Sequence, residues 1–144
     1  MVFLKAPFNE RAPRFSRDGG FVVYVTDESG KPEIYVRDFP NGASQWQIST
    51  SEGVMPRWRR DGKEIFYLQQ GRLMAVNITT RPTFSAAAPV SLFENRLLLQ
   101  TGYDVSADGK RFVVLERPAG EPPISIHVVH NWFEEFRVPQ PGRP

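Results

Sequence analysis

Short apolar runs alternate with polar, turn-forming stretches along the chain, and one such succession comes round three times. Pro13-Arg-Phe-Ser-Arg-Asp-Gly-Gly-Phe-Val-Val-Tyr-Val25, Pro56-Arg-Trp-Arg-Arg-Asp-Gly-Lys-Glu-Ile-Phe-Tyr-Leu68 and Tyr103-Asp-Val-Ser-Ala-Asp-Gly-Lys-Arg-Phe-Val-Val-Leu115 align without a gap. Their Asp-Gly pairs begin at Asp18, Asp61 and Asp108, spaced by 43 and 47 residues. Each pair lies between two strand-forming runs. Gly19, Gly62 and Gly109 can take positive φ there at no steric cost, so each pair predicts a hairpin. Three residues before each Asp stands a large or β-branched apolar residue, Phe15, Trp58 or Val105, expected in the core. After it come Val22–Val25, Ile65–Leu68 and Phe112–Leu115, runs with no polar alternation. Runs of that kind predict strands covered on both faces.

A second turn follows each hairpin, at Asp27–Pro32, Gln69–Gly71 and Arg117–Pro123, and then a third strand at Glu33–Arg37, Arg72–Ile78 and Ile124–Val129. Trp46–Ser49 and Val90–Phe93 supply fourth strands for the first two units; the third shows none. Four antiparallel strands per repeat of about 40–45 residues mark a β-propeller blade. The expected fold is therefore all-β, a partial β-propeller of about three four-stranded blades near residues 12–50, 55–94 and 102–130. Asn131–Arg137 reads as a helical turn capped by Asn131, and residues 138–144, with Pro139, Pro141 and Pro144, as a disordered tail. Within residues 1–8, Val2–Lys5 reads as the outer strand of a preceding blade or as the missing fourth strand of the third unit. Propellers close with about four to eight blades. Three blades thus imply a fragment of a larger ring, two copies that close a six-bladed ring, or an open stack with two apolar faces.

Composition narrows the classes. Gly (11) and Pro (13) make up about 17% of the 144 residues, above the usual ~12%, as a turn-rich β protein requires. No run approaches the ~20 apolar residues of a membrane helix, and Met1–Glu10 lacks the apolar core of a signal peptide. With zero cysteines there is no disulfide framework, thiolate metal site or cysteine nucleophile. A net charge of +2, with 14 arginines scattered from Arg11 to Arg143, is too dilute for a phosphate-tracking surface, so no nucleic-acid partner is expected.

The pattern Pro13-Arg-Phe-Ser-Arg-Asp-Gly19, Asp27-Glu-Ser-Gly30 and Glu33-Ile-Tyr-Val36 resembles the WD40-like (PD40) repeat of TolB-type β-propellers. Trp46–Thr50, Pro56–Trp58, Asp61–Tyr67, Tyr103–Ser106 and Asn131-Trp132 are similar to the C-terminal propeller end of bacterial serine/threonine protein kinase-associated proteins. The likeness covers roughly Phe3 to Arg137. Arg59 stands where that family has Ser, and Val105 where it has an aromatic. The resemblance implies a non-catalytic module whose parent carries any catalysis elsewhere. It also implies a compartment outside the cytoplasm for such a parent, against a cytoplasmic address for this chain on its own.

The search for chemistry agrees with a binding role. There is no Gly-rich phosphate loop, His-Arg-Asp or Asp-Phe-Gly sequence, no Walker A motif and no Gly-x-Ser-x-Gly elbow. His127 and His130, three apart on a strand, point to opposite faces and predict no shared metal. Asp18, Asp61 and Asp108 are read as turn residues, not calcium ligands. No cofactor is expected. On the innermost strands Arg14, Arg57 and Asp104 share a face with Ser16, Arg59 and Ser106. Arg14, Arg57, Arg59 and Asp104 are the channel-side ligand-binding candidates: the guanidinium groups would border the central channel, where they suit a carboxylate or phosphate, or else pair with Asp104 or Glu64. The expected function is protein or peptide binding by the C-terminal blades of a larger protein. The alternatives are the accessory propeller of a peptidase or hydrolase, and a self-assembling dimer of three-blade units.

Overall fold

A computed structural model describes residues 3–116 and 125–130. The predicted Asn131 helical turn, the 138–144 tail and the Arg117–Pro123 turn lie outside the described residues.

Three antiparallel sheets follow one another along the chain. The first joins β1 (Arg11–Phe15), β2 (Phe21–Thr26), β3 (Glu33–Asp38) and β4 (Gln45–Gln47) in that order. The second holds β5 (Val54–Trp58), β6 (Glu64–Gln69) and β7 (Arg72–Thr79), with β8 (Ser85–Ala86) and β9 (Val90–Glu94) both paired to β7. The third comprises β10 (Tyr103–Val105), β11 (Arg111–Glu116) and β12 (Ser125–His130). Strand β8 and the short helix α1 (Leu98–Thr101) were not foreseen from the sequence. Residues 3–10 contain no strand. Phe3 and Leu4 instead lie against the first sheet's outer cluster, Val22, Tyr24 and Tyr35, so the apolar start of the chain covers a face and does not extend an edge.

The three Asp-Gly corners have the same geometry. Gly19, Gly62 and Gly109 have φ of 70°, 75° and 73° and donate their N–H to the carbonyls of Ser16, Arg59 and Ser106 at 2.9–3.0 Å. The Asp side chain closes each turn, Oδ1 accepting from the amides of Gly20 (3.1 Å), Lys63 (3.0 Å) and Lys110 (3.0 Å). An aspartate two residues before the amide that it accepts from is the Asx-type bond that favours this residue in turns.

Stacking follows from the strand period of two. Four after each Asp, Ile65 and Phe112 face back toward the preceding sheet and Val22 faces back toward Phe3 and Leu4, while Val23, Phe66 and Val113, five after it, face forward. Val23, Val25, Ile34 and Val36 thereby meet Ile65, Tyr67, Met74 and Val76 in one interior. Phe66, Leu68, Leu73 and Leu92 meet Phe112, Val114 and Tyr103 in the next, closed below by Leu98 of α1. Trp46 stacks on Phe84, the residue before β8 of the neighbouring sheet, at 4.3 Å between centroids.

Two expectations need correction. The run Phe112–Leu115 is not covered on both faces: Val113 is 40% exposed, because no sheet stands in front of it among the described residues. The position three before Asp is not uniformly core either. Trp58 and Val105 are half-buried against the sheet behind them, whereas Phe15 is 58% exposed, edge-on to Phe39. No sheet lies behind β1 among the described residues.

Candidate functional site

The innermost strands β1, β5 and β10 carry the polar side chains that the sequence marks out. At the entry to each strand a residue six places before the Asp has positive φ: Ala12 (φ 53°) and Met55 (φ 55°), second in β1 and β5, and Gly102 (φ 76°), just before β10. In β1 and β5 a proline follows, and the pairing register shifts between Arg11 and Arg14 and between Val54 and Arg57. A proline offers no ladder donor, and a bulge re-aims the side chains after it. Positive φ at Ala and Met is uncommon, and its recurrence makes it a property of the repeat. Glycine at position 102 is the one sequence sign of this device, visible only once the repeats are aligned.

Beyond the bulge, Arg14 and Arg57 are set alike: each Nη1 donates to the carbonyl of its own preceding proline, at 2.9 and 3.0 Å. Register pairs Arg14 with Val23, Arg57 with Phe66 and Asp104 with Val113. All three residues therefore lie on the forward face of their sheets. The guanidinium carbon of Arg57 accordingly stands 5.9 Å from the centroid of the Tyr103 ring in the next sheet. Asp104 accepts from the amide of Val105 at 2.8 Å.

Arg59 behaves differently. Its Nε and Nη2 grip both carboxylate oxygens of Asp61 at 2.7 and 2.9 Å, and Nη1 donates to Glu64 at 2.9 Å. This two-pronged bond holds the Asp61 carboxyl below the usual range and raises the guanidinium. Burial pushes Glu64 up, against the opposing pull of Arg59. The structure thus gives Arg59 the ion pair with Glu64, and it does not gather Arg14, Arg57 and Arg59 around a shared partner. Each is held by its own repeat or the next sheet.

Consecutive inner strands are also tied directly. The Trp58 indole N–H donates to the carbonyl of Arg14 (3.3 Å) and the Tyr103 hydroxyl to that of Met55 (3.0 Å). Burial raises the Tyr103 hydroxyl well above its ordinary range. Asp18 and Asp108 also accept from Ser16 and Ser106 hydroxyls, at 2.7 and 2.5 Å, and those bonds lower both carboxyls. Among the described residues no group of three His, Asp or Glu could hold a metal. Both histidines fall in β12; their side chains lie outside the described residues. No described helix is long and apolar enough to cross a membrane.

Repeated sheets stacked face to face with equivalent corners define part of a β-propeller, and known proteins agree. The chain is 35% identical over 54 residues to the Tol-Pal system protein TolB of Desulfotalea psychrophila, covering 36% of this chain and 12% of that one. An oligogalacturonate lyase from Vibrio parahaemolyticus superposes with a TM-score of 0.62 at 15% identity, over 80% of this chain and 32% of its own. An acylaminoacyl peptidase of Pyrococcus horikoshii gives a TM-score of 0.52 at 23% identity, over 79% and 18%. No protein-family model matches the chain. The fold is a TolB-like partial propeller, and the chain spans about a third or less of the length of each of these relatives.

Proposed function

We propose that this chain is a non-catalytic propeller segment, built of PD40-type repeats, that binds a protein or peptide partner and forms the C-terminal blades of a larger, kinase-associated protein. The inner-strand arginines carry the reading. Arg59 is occupied by two carboxylates, whereas Arg14 and Arg57 form no ion pair among the described residues and each use one guanidinium nitrogen on a proline carbonyl. Their remaining N–H groups suit the carboxylates of an acidic peptide, for which planar two-pronged donors are well matched. Titration of the 144-residue chain with a glutamate-rich peptide should give saturable binding that the double variant Arg14→Ala/Arg57→Ala weakens tenfold or more, with no loss from Arg60→Ala. Equal binding by both variants removes the inner strands from the interface.

Val113 and Val128, 40% and 47% exposed on the third sheet, favour a second reading in which stacking continues there, through further blades of a parent or through a second copy of this chain. A monomeric mass at micromolar concentration rejects the second copy. The alternative parent is a peptidase or hydrolase, and a Gly-x-Ser-x-Gly domain in the adjoining coding sequence would favour it over a kinase-associated one.

A further inference from the structure

A cleft of about 630 Å³ opens between the first and second Asp-Gly corners, floored by Ile78 near the end of β7. Its origin lies in one repeat position. At the next junction, Arg59 reaches across from the second corner to the third, where a Cβ on Gly109 would come within 2.5 Å of its Cδ. The residue at the same place in the first repeat is Ser16, and a Cβ on Gly62 would meet nothing within 4 Å. The cleft is the space that an arginine fills one junction further on.

Its rim is cationic. Arg17 from the first corner, Lys63 from the second and Arg81 beyond β7 line it, and none has a side-chain hydrogen bond or ion pair among the described residues. Two carboxylates share the lining, yet both are occupied. Asp18 accepts from Ser16 and Gly20, with Arg81 adding only a minor electrostatic pull, and Asp61 is held by Arg59 and the Lys63 amide, with the Lys63 ammonium adding a minor pull of its own. Were the cations there to serve these acids, they would stand within ion-pair reach of them; the ion pair that Asp61 makes is with Arg59. Thr79 and Thr80 add hydroxyls to the same lining. The volume falls inside the ~300–1,000 Å³ of small-ligand sites.

We propose that this cleft binds a small anion bearing at least two phosphate or carboxylate groups, held by Arg17, Lys63 and Arg81. The site is separate from the inner-strand arginines and does not depend on the peptide-binding reading.

The test is titration of the 144-residue chain, at low ionic strength, with pyrophosphate and with citrate, followed by calorimetry and by amide NMR shifts. Expected is saturable one-to-one binding that moves the amides of Arg17, Lys63 and Thr80, weakened about tenfold by Arg81→Ala or by Lys63→Ala. Ser16→Arg should place a guanidinium in the cleft and abolish binding. If that variant loses its dispersed spectrum, the exposed pair Arg17→Ala/Arg81→Ala decides instead. A tighter pyrophosphate complex assigns the site to phosphates, and a tighter citrate complex to carboxylates. Shifts that do not saturate and that sodium chloride reproduces at matched ionic strength overturn the proposal, as does wild-type affinity in the Arg17→Ala/Arg81→Ala variant.

Discussion

The second and third sheets are written in the same apolar pattern and live in different surroundings. Ile65, Phe66, Tyr67 and Leu68 all have 0% exposure, since one face meets the first sheet and the other meets the third. In the third sheet Phe112 (0%) and Val114 (4%) are buried while Val113 between them is 40% exposed. An unbroken apolar run therefore encodes the capacity to be covered on both faces. Whether it is covered depends on what stands in front. The first sheet handles the same problem locally, drawing Phe3, Leu4 and Phe39 over its back.

Substitutions at one repeat position probe this difference most strongly. Phe66→Ala should cost about 3–5 kcal/mol in denaturant unfolding, as truncation of a fully enclosed aromatic does. At the matching place, Val113→Ala should stay within about 0.5 kcal/mol. A large and concentration-dependent loss at Val113 would show that a second copy covers that face. Next in size is a pair of corner glycines. Gly109→Ala meets both a left-handed φ and the Arg59 side chain, and should destabilise by about 1–3 kcal/mol. Gly19→Ala meets open space, so only the backbone strain of about 1 kcal/mol remains. Equal losses at the two glycines would mean that Arg59 yields freely and does not clamp the second junction.

The smallest effect is on acid stability. Asp18 and Asp61 are lowered from 3.8, so their contribution is complete above that pH and fades as pH falls through their folded values. Glu64 is raised and works in the opposite sense, its burial cost being relieved as it protonates. Thermal midpoints should therefore hold from neutrality down to the ordinary carboxylate range and drop below it. In Asp61→Asn the drop should be shallower; an unchanged acid limb would show that Asp61 is not among the groups responsible.

Much of this was legible beforehand because it depends on local chemistry. Asp-Gly dictates the corners, the period of two dictates which residues face forward or back, and the proposed third strands lie within a residue or two of β3, β7 and β12. What stayed hidden depends on neighbours. Nothing in Pro13-Arg-Phe15 says that this Phe will face solvent when its counterpart Trp58 does not, because the difference lies in the sheet behind each strand. Arg59 could be named as a partner for Glu64, but its crossing to Gly109, and the room left where Ser16 replaces it, require the geometry of adjacent corners. The left-handed starts at Ala12 and Met55 were masked by prolines that read as ordinary strand edges.

The indole and phenol ties to the carbonyls of Arg14 and Met55 run only from one sheet to the next. Resistance to opening is then inherited from neighbours, as in any linear array, and ranks by place in the stack. Among the described sheets the first and third can let go singly, while the second, between them, gives up its shelter only after a flank has already parted.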